Sequence, residues 1–184
     1  MDQQLEQGLR DLLDKQEITD VILRYQRAID RRDVELMHDC FWPGATMDYG
    51  NKPYFTGLAS DFIEFSMGPN TTREDRPCLH AVLSSTIELH GDLAFVESPY
   101  IIMLDSTPNW EQGRLDYIVI GRYLDRFQRR DGVWKIRERA GVHDFSRISL
   151  PPSVGDTFAV GMPVGKKSKE DLSYTWYDSL PPVE

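Results

Sequence analysis

The chain has 184 residues, 40% hydrophobic and 28% charged, with a net charge of −9 and a pI near 4.9. A chain this acidic offers no basic face for nucleic acid and none for an anionic membrane surface. The length suits one domain with a real core, with or without a tail.

The first residues, MDQQLEQGLRDLLDKQE, are polar and acidic and lack the apolar stretch of a secretory signal. No apolar run reaches the length of a membrane span. The two cysteines, Cys40 and Cys78, are isolated. A cytosolic protein with free thiols is the expectation.

Residues 1 to 10 read as a lead-in or an extra helical turn. Ile18, Val21, Ile22, Tyr25 and Ile29 then form one apolar helical face. The helix ends in the charged turn Asp30-Arg31-Arg32-Asp33. Asp33 caps a second, shorter helix with Leu36, Met37, Cys40 and Phe41 on its apolar side. Pro43-Gly44 stops that helix, and Thr46 to Tyr49 reads as a short strand. Tyr54-Phe55 is a minimal strand candidate. A third helix is expected over 57–67, with Thr56 as its cap and Leu58, Phe62 and Phe65 facing inward. Residues 69–77 are a polar loop.

The second half changes period. Cys78 to Leu89 reads as one long strand, and Gly91-Asp92 turns it back into Leu93 to Leu104. After a loop at 105–113, Arg114 to Gln128 is a strand, with Gly121 a candidate bulge. Asp131-Gly132 is a hairpin turn signal, and Val133 to Arg147 returns. Three helices before two long hairpins imply an α+β class with one curved sheet. The expected organisation is a body over 1–148 and a tail or arm over 149–184. In that proline-rich tail, Phe158, Tyr174, Trp176 and Tyr177 suggest partial burial.

Gly161 to Ser168, GMPVGKKS, superficially resembles a phosphate-binding loop. It has three residues between its glycines instead of four, and no strand-to-helix setting. The histidines, His38, His80, His90 and His143, show no metal-ligand spacing, so no metal and no cofactor is expected. His90 falls at a turn and His38 on a short helix, and both are expected at the surface. No serine has a nucleophile-elbow setting.

His80 remains. Strict alternation places it with Val82, Ser84 and Thr86 on the more polar face of a largely buried strand. Alone, such a histidine is more often structural than functional. Asp105 ends the following strand.

Tyr25-x4-Asp30, the run FWPGATMDY at 41–49, His80 opening a strand, and RRDGVWKI at 129–136 together resemble SnoaL-like members of the nuclear-transport-factor-2-like superfamily. The resemblance covers about residues 10 to 148. It implies a cone-shaped α+β barrel, with N-terminal helices packed on a curved mixed or antiparallel sheet. Scytalone dehydratase, bile-acid 7α-dehydratase and hexachlorocyclohexane dehydrochlorinase are the most similar flavours. Within that resemblance Asp30 matches the helix-end aspartate that pairs with a catalytic histidine, and His80 matches that histidine. Tyr25 and Tyr49 match functional tyrosines of the bile-acid and scytalone enzymes. Asp105 falls where those two dehydratases carry a second acid or a histidine. Ile29 stands where scytalone dehydratase has another tyrosine. Gly44 replaces an acid common in this motif.

The implied function is a cofactor-free, dehydratase-like lyase acting on a hydrophobic small molecule, cyclic ones included. Asp30 and His80 should lie within about 3.2 Å, the reach of a hydrogen bond. An isomerase of the same fold, a binding module without turnover, and a structural subunit like a dioxygenase β-subunit are the rivals. A homodimer or homotrimer is expected, because three helices can cover only one face of strands that are apolar on both.

Overall fold

Asp2 starts the first helix by accepting a hydrogen bond from Gln4 N at 3.1 Å. In this computed structural model residues 2–50, 54–68, 78–106, 115–149, 163 and 165–178 are described. Helix α1 runs over Gln3–Arg31, so the lead-in is helical from Gln3 onward. Its buried residues are Ile18, Val21, Ile22, Tyr25, Ala28, Ile29 and Asp30. The first half leaves Leu5, Leu9, Leu12 and Leu13 exposed. Arg32 closes the helix in the left-handed region, at φ 52°, with its N–H on Ala28 O. Asp33 then caps α2, Val34–Asp39, through Leu36 N.

Strand β1, Phe41–Asp48, begins earlier than expected. Pro43 and Gly44 lie inside it, at a register shift between Phe41 and Thr46. Gly44 has φ 79° there. A proline is tolerated because the neighbour on that side, β2 (Thr56–Leu58), pairs only with Thr46 to Asp48. Pairing in β2 also removes Leu58 from the third helix, α3, Ala59–Met67. Its buried face is Ala59, Phe62, Ile63, Ser66 and Met67, while Leu58 and Phe65 are exposed. The buried face is therefore rotated from the expected one; Phe65 stacks on Phe55 instead.

Strands β3 (Cys78–Val82) and β4 (Thr86–His90) replace the single long strand. Both pair with β5, Leu93–Ser106. Val82 pairs with Tyr100, but Thr86 pairs with Glu97, so residues 83–85 face only Ser98 and Pro99. Pro99 lacks an N–H and can only accept, which it does from Leu83 N at 2.9 Å. The extra residue reverses the alternation. His80 and Val82 point inward, and then Ile87 and Leu89, not Ser84 and Thr86.

β5, β6 (Leu115–Arg130) and β7 (Val133–Ser149) form an antiparallel meander, and β1 adds parallel to β7. Asp131 (φ 50°) and Gly132 (φ 80°) make the tight turn. The register shifts at Ile120/Gly121, as expected, and at Arg126/Phe127. The strand order is β2-β1-β7-β6-β5-β3, with β4 also on β5. The α+β architecture of helices on a curved, mixed sheet is as expected, but the sheet does not close. The core lies between its inner face and α1 to α3.

Beyond β7, residues 165–178 return to the α1–α2 corner, ending in α4, Leu172–Asp178. Tyr174 Oη donates to Asp33 Oδ2 at 2.8 Å, and Arg31 lies 3.3 Å from Asp171. Phe158 and the side chains of Trp176 and Tyr177 lie outside the described residues. No described helix is long and apolar enough to cross a membrane.

Candidate active site

Asp30 sits on the last turn of α1, and His80 near the start of β3 faces it. The His80 Nδ1–H donates to Asp30 Oδ1 at 2.6 Å. The His80 backbone N–H lies 3.1 Å from both carboxylate oxygens. Cys78 Sγ adds a longer contact to Asp30 Oδ1, 3.5 Å. The aspartate side chain is 8% exposed and the histidine 12%. His38, His90 and His143 are all exposed.

Burial opposes a charged imidazole. The hydrogen bond and charge of Asp30, with those of Cys78, outweigh it and raise the His80 pKa above its ordinary value. With Nδ1 held by the carboxylate, Nε2 is left as the ring's other nitrogen, an acceptor while the ring is neutral.

Tyr25 and Tyr49 form a second pair, hydroxyl to hydroxyl at 3.2 Å. Among the described residues no hydrogen bond joins them to Asp30 or His80. Asp30 is five residue steps along the helix from Tyr25, about 7.5 Å of rise. Tyr49 is packed so closely on Gly141 that a β-carbon there would stand 2.3 Å from its ring. Burial first, and then Tyr25, push the Tyr49 pKa well above its ordinary value. Asp105 pairs with Asp116 through the backbone of β5, but its side chain lies outside the described residues.

Three residues that touch these two pairs or lie beside them were not among the candidates. Cys78 is one; its spacing of two from His80 on a strand puts both side chains on one face. Arg139 and Asp125 are the others. They form a fully buried bidentate pair at 2.6 and 2.7 Å. The guanidinium lies 3.9 Å from the Tyr25 ring centroid and 4.3 Å from that of Tyr123. Arg139 Nη1 has no hydrogen-bond partner among the described residues. Burial opposes its charge, but Asp125 outweighs this and raises the pKa well above the ordinary value.

Asp30, Cys78 and His80 are also the described group that could hold a metal ion, with donor atoms all within 4.8 Å of one another. Sequence spacing could not show this, because one ligand comes from α1. Two cavities border this region, one through Arg139 and Asp125 and the other through Cys78. One, of about 860 Å³, runs across the sheet from β2 over β1, β7, β6 and β5 to β4. The other, of about 380 Å³, lies at the Cys78 end of β3. Neither is lined by Asp30, His80, Tyr25 or Tyr49.

The fold is similar to that of a hexachlorocyclohexane dehydrochlorinase, LinA type 2. TM-score is 0.67 at 16% identity, over 82% of this chain and 99% of that one. It is also similar to a scytalone dehydratase candidate from Novosphingobium aromaticivorans DSM 12444. There TM-score is 0.62 at 18% identity, over 80% and 95% of the two chains. A variant of Rv3472, a Mycobacterium tuberculosis protein of unknown function, gives TM-score 0.59 at 22% identity, over 82% of each chain. No curated protein matches the sequence. The model of the SnoaL-like domain matches residues 10–140, so the chain belongs to the SnoaL-like family.

Proposed function

We propose that the protein is a cofactor-free lyase whose base is His80, oriented by Asp30. The 2.6 Å contact between Asp30 Oδ1 and His80 Nδ1 carries this reading. It holds one tautomer, leaves Nε2 to accept a proton from carbon, and stabilises the imidazolium that forms. The substrate is a hydrophobic, cyclic molecule with an acidic C–H beside a carbonyl or a leaving group. The dehydrochlorinase and dehydratase names of the structural neighbours support that class. Tyr25 and Tyr49 offer hydroxyls to a developing oxyanion or a leaving oxygen, and burial keeps that of Tyr49 protonated. Dehydration, loss of halide and double-bond migration share the first step, so an isomerase is the alternative outcome of the same base.

The test is carbon-acid exchange in deuterated water. The protein is incubated with cyclic ketones, β-hydroxy carbonyl compounds and halogenated cycloalkanes and followed by NMR. Deuterium uptake or elimination that disappears in His80→Ala supports the proposal. A panel that stays inert with both proteins counts against it.

A binding module without turnover is the second reading. Neither Asp30 nor His80 lines either of the two cavities, which favours it. It predicts ligand affinity that barely changes in His80→Ala.

A homodimer or homotrimer is the proposed assembly. Leu5, Leu9, Leu12 and Leu13 on α1, and Leu93, Phe95 and Leu124 on the sheet, are exposed. Light scattering at micromolar concentration reads the mass directly, and a monomer would rule the assembly out.

A further inference from the structure

We propose that Asp30, Cys78 and His80 form a three-ligand site for a soft divalent cation, zinc above all, which competes with the proton now held between Asp30 and His80. A thiolate, an imidazole and a carboxylate are a zinc donor set, and they leave a fourth position open. Calcium and magnesium need oxygen-rich cages, which this group does not provide.

The donor atoms already lie within 4.8 Å of one another. Zinc bonds of about 2.0 to 2.3 Å set donor–donor spans of about 3.3 to 3.5 Å in a tetrahedron. Cys78 Sγ and Asp30 Oδ1 are at that span, 3.5 Å. Asp30 Oδ1 and His80 Nδ1, at 2.6 Å, must part by about 0.7 Å to reach it. The backbone N–H of His80 steadies the carboxylate, as an outer-shell partner does.

The charges balance. Zinc with one thiolate, one carboxylate and a neutral imidazole is electrically neutral, which suits a largely buried site. On binding, Cys78 releases its thiol proton to solvent. The Nδ1 proton leaves and a solvent proton takes Nε2, so the ring stays neutral. That consequence rests on the function proposed above, because Nε2 then carries a proton and can no longer accept one. The cation would switch the base off. The binding site itself does not depend on the reaction.

Cobalt(II) is the probe, titrated into the full-length protein. One equivalent should give a thiolate-to-cobalt charge-transfer band and the strong visible bands of four-coordination, both displaced by zinc. Cys78→Ser should abolish the charge-transfer band, and Cys40→Ala should keep it. Cys40 is buried, with its thiol pKa pushed up to about 12 by burial. Asp30→Asn and His80→Gln should weaken binding at least about tenfold. Absence of the band, or a band that survives Cys78→Ser, overturns the site. If zinc binds with the cobalt-defined ligands while deuterium exchange continues unchanged, the competition is overturned and the site stands. If no carbon acid exchanges, the cobalt spectrum still decides the site.

Discussion

Asp30 holds His80 in two places, accepting the backbone N–H at 3.1 Å and the ring Nδ1–H at 2.6 Å. One carboxylate therefore fixes both where the strand runs and how the imidazole points. Removing the base in His80→Ala should lower the rate on the order of 10²–10⁴-fold. Asp30→Asn should cost much of the same factor, and the double variant little more, because the two act as one unit. Single-turnover kinetics on the four proteins reads this. Costs that multiply would mean that the two residues act independently.

The Arg139–Asp125 pair gives a stability prediction. Both side chains are fully buried and bonded at 2.6 and 2.7 Å. Removing one partner, as in Asp125→Asn or Arg139→Met, strands a buried charge or its partner and should cost about 3–5 kcal/mol. Replacing both with apolar residues of similar volume should cost much less. Urea denaturation of the two singles and the double checks it. Equal losses in all three would place the cost in packing and not in the charge.

Much of this fold was legible in the chain, for physical reasons. The α1 stripe buries as spaced, since a helix shows its periodicity locally. Asp131-Gly132 turns as read, because few residue pairs accept two positive φ angles. The meeting of Asp30 and His80 came from a family resemblance. Nothing local in either segment points to the other. Features that depend on a partner strand were hidden. Pro99 on β5 interrupts the strand opposite, so the inward face passes from His80 and Val82 to Ile87. Pairing of β2 with β1 takes Leu58 out of α3 and rotates its buried face. Arg139 was missed because a charged residue on a strand reads as solvent-facing until its partner Asp125, on β6, is known.

Glycine at 141 is a packing requirement. A β-carbon there would stand 2.3 Å from Tyr49 Cδ1 and 2.7 Å from Cε1. Those atoms belong to a rigid ring that also packs on Phe62. Gly141→Ala should therefore push Tyr49 away from Tyr25, break their hydrogen bond, and cost about 1–3 kcal/mol. Thermal melts measure the loss, and tyrosine fluorescence reports the moved ring. A melt unchanged from the parent would show that the ring has room to retreat.

The last prediction concerns the returning C-terminal segment and acid. Asp171 accepts hydrogen bonds from Ser173 Oγ, Lys166 N and Ser173 N, with Arg31 beside it. The Ser173 hydroxyl, then those backbone groups, then Arg31 hold its pKa well below the ordinary carboxylate range. A carboxyl with a depressed pKa stabilises the state in which it is ionised. Its contribution is therefore complete above the ordinary aspartate value, about 3.9, and falls as pH drops below it. Residues 165–178 should loosen from the α1–α2 corner in that acid range. Asp171→Asn should loosen them already at pH 7. Hydrogen exchange measured by mass spectrometry separates the two regions, since amides of the segment should lose protection while those of β6 and β7 keep it. If Asp171→Asn leaves the segment as protected as in the parent at pH 7, the Tyr174–Asp33 bond and the 2.8 Å bond from Lys169 Nζ to Glu35 hold it without the carboxylate.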